Sequence, residues 1–250
     1  MKRELVVDLA IVGAGSGGLS VASGAAQLGL KVVLFERGEM GGDCLNAGCV
    51  PSKSLIAAAR AAQAARGAPA LGVGGAEPTV DFPAVMAHVR RVIAAIAPHD
   101  SQERFEGLGV TVVREHAAFA DPRTLESESV RVRFDRAVLA AGSRPALPPV
   151  AGLAETPHLT NETVFDLEAL PPRLLVLGGG PIGLELGQAF RRLGSEVSVV
   201  EAERALGKED PEAAQLVVDR LKREGVDVRQ AARVRSVTPG GAGITLELEG

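Results

Sequence analysis

The sequence predicts an α/β protein built from two strand-helix-strand (βαβ) units, because one segment occurs twice without a gap. The copies are LAIVGAGSGGLSVASGAAQLGLKVVLFE at residues 9–36 and LLVLGGGPIGLELGQAFRRLGSEVSVVE at residues 174–201. Each begins with an apolar run of strand length, continues with helical periodicity and returns to a valine-rich run. Repeated units of this kind are typical of parallel sheets covered by helices.

Composition narrows the class of protein. The 250 residues are 46% hydrophobic, which suits a globular chain with a full core. The net charge is -4 with both signs scattered, so no basic stripe predicts a nucleic-acid partner. Glu4 and Asp8 interrupt the first apolar run, and no run reaches membrane-spanning length. We therefore expect no membrane association and a cytoplasmic location.

Both copies carry the motif G-x-G-x-x-G between the first strand and the helix. The six shared glycines are Gly13, Gly15, Gly18, Gly178, Gly180 and Gly183. In this motif the first glycine makes a tight turn, the second lets the backbone approach a pyrophosphate, and the third lets helix and strand pack closely. The helix N-terminus also attracts phosphate. The copies therefore predict two Rossmann-like dinucleotide-binding domains.

An acidic residue ends each copy, Glu36 in the first and Glu201 in the second. A carboxylate at this place accepts hydrogen bonds from ribose hydroxyls. Glu201 favours NADH, because it would repel the 2′-phosphate of NADPH, although Arg204 nearby leaves NADPH open. Two dinucleotide sites in one chain are expected when one cofactor must reduce another.

Proline and glycine mark the boundary between the copies. Residues 142–152, GSRPALPPVAG, and the pair Pro171 and Pro172 exclude interior helix and central strand. The predicted domains are residues 1–152 and 153–250, and the proline pair opens the second unit. Within the first domain we expect a helix over 54–65, a second long helix from 83 to about 106, and a small antiparallel excursion over 110–142.

Both cysteines of the chain lie in GGDCLNAGCVPSK, residues 41–53. Residues five apart in a regular helix rise by about 7.5 Å, beyond the roughly 4.4–6.8 Å between Cα atoms that a disulfide tolerates. Gly48 and Pro51 would permit a distorted first turn. A redox-active pair, two zinc ligands and two unrelated buried thiols all stay open at this point.

This cysteine segment resembles the redox-active signature of the class I, flavin-dependent pyridine nucleotide-disulfide oxidoreductases. The family includes dihydrolipoamide dehydrogenase, glutathione reductase and mercuric reductase, and the likeness is greatest to the first and last of these. VLAAGSRP at 138–145 and GGGPIGLELG at 178–187 resemble further family segments, so the likeness runs along essentially the whole chain. It implies FAD in the first domain and NAD(P)H, with NADH favoured, in the second.

The resemblance implies a Cys44–Cys49 redox disulfide, in which Cys49 forms the charge-transfer thiolate near the flavin and Cys44 exchanges with the substrate. It also pairs Lys53 with Glu185. The residues it assigns to FAD are Gly13, Gly15, Ser16, Gly17, Gly18, Glu36, Arg37, Gly42, Asp43, Cys44, Cys49, Lys53, Ala117, Ala141 and Gly142. Those it assigns to the nicotinamide cofactor are Gly178, Gly180, Pro181, Ile182, Gly183 and Glu201.

The implied activity is transfer of electrons from NAD(P)H through FAD to the disulfide and on to a disulfide or related acceptor. Family members are nearly twice as long and add a C-terminal dimerisation domain, whose histidine and glutamate serve the other subunit as catalytic base. We therefore expect a truncated form of a homodimeric protein. Two alternatives stay open: an NADH-dependent flavoprotein that does not use the dithiol, and an FAD-binding fragment without turnover.

Overall fold

A computed structural model of the protein describes residues 2–74, 77–241 and 243–249. The chain divides into two compact units, Met1–Pro51 with Arg90–Arg144 and Ser52–Val89 with Pro145–Gly250. The predicted domain boundary at residue 152 stays a prediction. None of the described helices has both the length and the apolar composition that crossing a bilayer requires.

The first unit contains a six-stranded sheet in the order β3-β2-β1-β6-β5-β4. Its strands are β1 (Arg3–Val12), β2 (Val32–Phe35), β3 (Thr111–Val113), β4 (Ala118–Asp121), β5 (Thr124–Glu126) and β6 (Val130–Leu139). Strands β3, β2, β1 and β6 are parallel, whereas β5 and β4 continue the sheet antiparallel. The antiparallel excursion predicted over 110–142 is therefore present.

The helices in this part of the chain are α1 (Ser16–Gln27), α2 (Gly42–Asn46), α3 (Cys49–Gly67), α4 (Phe82–Ile96) and α5 (Gln102–Gly107), with short 3₁₀ helices at Ala68–Leu71 and Ala97–Asp100. Residues 52–89, which include most of α3 and the first half of α4, belong to the second unit. Ile11 lies in an apolar cluster with Phe105, and the next residue towards the N-terminus, Ala10, lies in a second cluster with Val132. The C-terminal part of β1 is thus buried on both faces, which explains the apolar run that ends the strand.

The prediction of one long helix from residue 83 to about 106 is wrong. Helix α4 ends at Ile96, and α5 begins only after a 3₁₀ turn. Ser101 is extended, with φ -72° and ψ 155°, and its side chain accepts a hydrogen bond from the Arg104 N–H. Pro98 has no backbone N–H to continue α4, and a serine in this conformation caps a new helix. The helical segment is therefore interrupted between residues 97 and 101.

The second unit contains the second copy of the repeat. Its sheet has the order β7-β8-β9, all parallel, and a separate antiparallel pair follows. The elements are β7 (Arg173–Leu177), α6 (Pro181–Leu193), β8 (Glu196–Val200), α7 (Pro211–Arg223), β9 (Asp227–Arg229), β10 (Val234–Gly240) and β11 (Gly243–Leu248), with a 3₁₀ helix at Val164–Asp166. Strand β7 begins directly after Pro171 and Pro172, as predicted.

A charged cluster joins α6 to the end of α7. The Glu224 side chain is only 5% exposed and accepts two hydrogen bonds from the Arg192 guanidinium, at 2.7 and 2.8 Å. Arg220 adds a third, at 2.6 Å. Hydrogen bonds from Arg192 and then Arg220 lower the pKa of Glu224 to about 2. A fork-like Arg–carboxylate contact of this kind fixes geometry as well as charge.

We expect Glu224→Gln to lower the free energy of unfolding of this unit by about 2 kcal/mol at pH 7, because it leaves two guanidinium groups without their anion. Since the folded pKa is depressed, the carboxylate's contribution is fully present above about pH 5 and is lost as the pH falls towards 2. Urea unfolding at several pH values measures the difference. The exposed Glu209→Gln is the control, and a difference that does not shrink in acid would contradict the assignment.

Candidate functional site

The two copies form the same tight turn at their first glycine. Gly13 has φ 105° and Gly178 has φ 107°, a region that residues with side chains rarely adopt. The Gly13 N–H donates to the Phe35 carbonyl at 2.8 Å, and the Gly178 N–H donates to the Val200 carbonyl at 2.9 Å. Each turn is therefore tied to the end of the next strand of its own sheet.

The third glycine of each motif permits direct backbone contact. A Cβ atom on Gly18 would lie 1.8 Å from the Gly13 carbonyl oxygen, and one on Gly183 would lie 2.3 Å from the Gly178 oxygen. Neither distance is possible for a real side chain. The first turn of each helix therefore lies directly on its loop, as the motif predicts.

Helices α1 and α6 leave the N–H groups of their first turns available. Their caps, Gly15 and Gly180, provide no side-chain hydrogen bond, and neither first turn contains an acidic residue. By contrast, Ser101 caps α5 and Asp210 caps α7 through side-chain oxygens. Uncapped N–H groups and the positive end of the helix dipole fit the phosphates of a dinucleotide at both loops.

The acid that ends each copy also holds its own glycine loop. Glu36 accepts hydrogen bonds from the Ala14 N–H at 2.6 Å and the Gly38 N–H at 2.7 Å. Glu201 makes the equivalent contacts: it accepts a hydrogen bond from the Gly179 N–H at 2.7 Å. It accepts a second from the N–H of the residue two positions after Glu201 itself, at 2.9 Å. Each carboxylate oxygen keeps acceptor capacity for a ribose hydroxyl. The sequence interpretation missed this structural role.

A glycine pair brings the cysteine segment onto the first glycine loop. Gly41 and Gly42 have φ 85° and 55°, and the Gly41 N–H donates to the Ala14 carbonyl at 2.8 Å. A Cβ atom on Gly42 would lie 2.7 Å from the Cα atom of Gly15. Only glycine combines this conformation with this approach. Helix α2, which carries Cys44, therefore starts in contact with the predicted FAD loop.

The helix is interrupted between the two cysteines, as the expected distortion requires. Helix α2 ends at Asn46, and α3 begins at Cys49. Ala47 leaves helical geometry with φ -141°, and a Cβ atom on Gly48 would lie 2.8 Å from the Asp43 carbonyl oxygen. Both cysteines are present as thiols, with Cys44 partly buried and Cys49 exposed. Their side chains are hydrogen-bonded to each other.

This contact changes the acidity of Cys44. The hydrogen bond with Cys49, then burial and the charge of Cys49, raise the pKa of Cys44 to about 11, and the Asp100 carboxylate adds to the effect. Cys44 is therefore a thiol at neutral pH unless a base removes its proton. Among the described residues, no three His, Cys, Asp or Glu side chains converge, so the pair has no further ligands for zinc.

Lys53 and Glu185, from α3 and α6, form an ion pair in the second unit. The Lys53 Nζ atom donates to Glu185 Oε2 at 2.5 Å, and the side chains are 60% and 45% exposed. The structure thus brings together two residues that the sequence places in separate motifs. Pro181 is the first residue of α6, where its missing N–H costs nothing, and Ile182 beside it is 62% exposed.

The other predicted FAD contacts lie in three places. The segment after β6 packs on the first loop, since a Cβ atom on Gly13 would lie 2.1 Å from the Ala140 carbonyl oxygen; Ala141 and Gly142 follow directly. Ala117 is partly buried between β3 and β4. The remaining four predicted FAD contacts are exposed, two at the start of α1, one after β2 and one in α2. In that order they are Ser16, Gly17, Arg37 and Asp43. Their contacts with a cofactor stay predictions.

The sequence analysis did not identify two charged residues that lie near Cys44. Asp100 and Arg104 line a cavity of about 540 Å³ that also includes Cys44 and one face of α1. They lie more than fifty residues away in sequence, inside the segment expected to be one long helix. Pro98 followed by Ser101 was the local signal for a break that could have separated them from α4.

Two glycine loops of the dinucleotide-binding type, with two thiols in contact near the first, define a protein of the class that carries two dinucleotide sites and a cysteine pair. The family described as "Pyridine nucleotide-disulphide oxidoreductase" matches residues 7–250, so the chain belongs to that family. Enzymes of this family use FAD and NAD(P)H. The family, the fold class and this pair of cofactors, all expected from the sequence, are therefore confirmed.

Similar proteins support the same assignment. The chain is 36% identical to a mercuric reductase of Streptomyces lividans over 249 residues, covering 97% of this chain and 52% of that protein. It is 32% identical to a mercuric reductase of Lysinibacillus sphaericus, covering 94% and 43%. A solved Cu(II) complex of the HOCl-induced flavoprotein disulfide reductase RclA from Escherichia coli has a TM-score of 0.82 at 25% identity, covering 97% and 53%. The chain thus spans about half the length of the relatives it matches.

We expect Gly42→Ala to weaken FAD binding at least tenfold, because the new methyl group would displace the Gly41–Gly42 corner from Gly15. Titration of the apoprotein with FAD, followed by flavin fluorescence, measures the change. The control is Gly107→Ala, at the end of α5, where a Cβ atom meets nothing within 4 Å. Equal FAD affinity in the two variants would contradict the close approach.

We expect the reduced chain to show a thiolate absorbance step at about pH 11, because Cys44 ionises against the charge of Cys49. In Cys49→Ala this step should move down towards the ordinary value of 9.0. The chain contains no Tyr or Trp, so absorbance near 240 nm reports thiolates without interference from tyrosine. Cys44→Ala should abolish the step at about pH 11, and persistence of that step in the variant would refute the assignment.

Proposed function

We propose that this chain is the cofactor-binding and dithiol-bearing part of an NAD(P)H:disulfide oxidoreductase. Electrons would pass from NAD(P)H through FAD to the Cys44–Cys49 pair and on to a disulfide or related acceptor. One observation carries the proposal: the two thiols are in hydrogen-bond contact on a segment that packs against the first glycine loop. A dithiol on this segment would lie near the cofactor that the loop would bind, which supports the proposal.

Residues of the first unit would hold FAD through its phosphates and its ribose. The loop around Gly15 and the first turn of α1 provide N–H groups, and Glu36 provides acceptors. When bound, FAD supplies the chemistry of accepting a hydride and releasing an electron pair. In the second unit, the loop around Gly180 and Glu201 would hold the nicotinamide cofactor in the same way.

The net reaction is NAD(P)H + H⁺ + RSSR → NAD(P)⁺ + 2 RSH. Reduction of the Cys44–Cys49 disulfide consumes the electron pair and one proton, and would leave Cys44 as a thiol and Cys49 as the charge-transfer thiolate. The Cys44 thiolate then attacks the acceptor, forms a mixed disulfide and releases one thiol. Cys49 attacks the Cys44 sulfur, restores the disulfide and releases the second thiol.

The acidity of Cys44 sets a requirement for this cycle. With a pKa of about 11, Cys44 stays protonated at neutral pH while Cys49 is reduced beside it. A base must therefore take its proton before the attack on the acceptor. The family resemblance assigns that role to a histidine of the partner subunit in a homodimer, and we propose the same for the complete protein.

NADH is the favoured reductant. The Glu201 carboxylate would repel a 2′-phosphate. An arginine near this position could bind the 2′-phosphate of NADPH. The Arg204 guanidinium instead donates hydrogen bonds to the carbonyl oxygens of Gly207 and Glu209, at 3.0 and 3.1 Å. Arg204 is thus held in its own turn, which supports the preference for the unphosphorylated cofactor.

A metal ion is a second candidate acceptor. The curated relatives are named mercuric reductases, and two neighbouring thiols form a soft donor pair that suits such an ion. Disulfide and mercuric ion would both be received at Cys44, so the same dithiol is required for either acceptor.

We expect the FAD-loaded chain to develop long-wavelength charge-transfer absorbance when two electrons per flavin are added from NADH, because a thiolate then lies beside oxidised flavin. Cys49→Ser should abolish the band, and Cys44→Ser should retain it. NADPH should give the same spectrum only at higher concentration.

The outcomes separate the alternatives. Reduction without the band would favour a flavoprotein that does not use the dithiol. Failure of NADH to reduce bound FAD, when dithionite does so, would favour an FAD-binding fragment.

A further inference from the structure

The likeness between the two copies extends past the acid that ends each of them. The Gly41 N–H donates to the Ala14 carbonyl oxygen at 2.8 Å, and the Leu206 N–H donates to the Gly179 carbonyl oxygen at 2.9 Å. Both donors lie five residues after the acid of their copy, and both acceptors directly follow the first glycine of the motif. In each copy, therefore, the turn after the acid is hydrogen-bonded onto its own glycine loop.

The second of these turns carries a side chain where the first has glycine. Gly41 has φ 85° and Leu206 has φ 53°, so both are left-handed. Glycine adopts this conformation freely, whereas leucine adopts it at a cost in free energy. A residue persists there only when its surroundings hold it, and such residues are concentrated at ligand sites. The turn over residues 203–206 is therefore held by contacts outside it.

Two further hydrogen bonds hold this turn from the side of β9. The Ala205 N–H donates to Gln230 Oε1 at 2.8 Å, and the Ala231 N–H donates to the Glu203 carbonyl oxygen at 2.8 Å. Ala205 is fully buried, and Gln230 directly follows β9, the neighbour of β8 in the sheet. The bond to Gln230 uses a side-chain acceptor, so a substitution can remove it without changing the backbone of the turn.

The turn carries the charged groups that would meet the 2′ position of the cofactor. Glu201 accepts a hydrogen bond from the Glu203 N–H at 2.9 Å, and Arg204 is the next residue. The Arg204 guanidinium stays within the turn, on the carbonyl oxygens of Gly207 and Glu209. A carboxylate at this place favours a free ribose hydroxyl, whereas an arginine that reaches it favours a 2′-phosphate. The balance therefore depends on whether the turn stays closed.

We propose that Gln230 is a positioning residue for cofactor selection. By holding the turn 203–206 on the second glycine loop, it keeps Arg204 away from the 2′ position and favours NADH over NADPH. Gln230 does not touch the cofactor and acts through the turn. The inference rests on the proposed function, because the nicotinamide site is part of it, and it identifies the residue that sets the preference of that site.

Binding of the oxidised cofactors tests this role without electron transfer. NAD⁺ and NADP⁺ differ only in the 2′-phosphate, and isothermal titration of the FAD-saturated chain gives both affinities. We expect Gln230→Leu to raise the affinity for NADP⁺ relative to NAD⁺ about three- to tenfold, because a released guanidinium can pair with the phosphate. Gln230→Glu keeps an acceptor oxygen and should not raise this ratio.

The dependence on Arg204 separates positioning from a general weakening of the site. Arg204→Gln should change the ratio less than twofold in the parent chain at about 0.15 M salt, where exposed charges are screened over roughly 8 Å. In the Gln230→Leu background the same substitution should abolish the gain. A merely structural defect would lower both affinities, whether or not Arg204 is present. The control Gln215→Leu removes an exposed amide from α7 and should leave the ratio unchanged.

Amide exchange, followed by NMR in the chain without nicotinamide cofactor, tests the contact itself. The Ala205 N–H should exchange at least tenfold faster in Gln230→Leu than in the parent, and Gln215→Leu should match the parent. An unchanged exchange rate would overturn the proposal.

The binding outcomes distinguish this inference from the proposed function. Equal ratios in the parent and in Gln230→Leu, or a gain that persists without Arg204, would overturn the inference alone. Binding of neither cofactor would defeat the proposed function as well. If Gln230→Leu does not fold, Arg204→Gln in the parent still decides, because a loss of NADP⁺ affinity greater than twofold relative to NAD⁺ would show that Arg204 already reaches the 2′-phosphate.

Discussion

The contact of backbone with backbone at the first glycine loop is the constraint on which the site depends. Gly18 lets α1 lie on the loop, and Gly42 lets the cysteine segment lie on Gly15, at distances that a single methyl group would prevent. The carbonyl of Ala140 closes the third side against Gly13. Because these approaches leave no space for side chains, the N–H groups of α1 and the thiol of Cys44 are held on one small region of the first unit.

The interrupted helix between the cysteines follows from the same constraint. A continuous helix would hold Cys44 and Cys49 too far apart for a disulfide, whereas the break at Ala47 and Gly48 brings the thiols into hydrogen-bond contact. That contact has an electrostatic consequence, because the hydrogen bond with Cys49 and the charge of Cys49 raise the pKa of Cys44. The arrangement that permits a redox disulfide therefore also keeps Cys44 protonated and creates the need for an external base.

The two copies of the repeat have the same hydrogen bonds at their glycine loops but differ in the segments that lie next to those loops. Glu36 and Glu201 hold their glycine loops through equivalent hydrogen bonds, so each acid serves the fold before it serves a ligand. The first loop is approached by the cysteine segment, and the second is followed by Glu185, whose partner Lys53 comes from α3. The duplicated βαβ unit is thus combined with the cysteine segment in the first copy and with the Glu185–Lys53 ion pair in the second.

Periodicity and the spacing of glycines predicted the two βαβ units, and strand-like alternation predicted the antiparallel excursion, because these patterns are local and each spans about thirty residues. The family was predicted from the resemblance of the cysteine segment and of two further motifs to known family segments. The sequence alone also located the dithiol and proposed that Lys53 pairs with Glu185, through motif resemblance. It misjudged the segment 83–106, where helix propensity hid the break at Pro98 and the cap at Ser101. Only the tertiary structure placed Asp100 and Arg104 beside Cys44 and Gly42 against Gly15, because contacts between residues distant in the chain depend on how its elements pack and leave no local periodic signal.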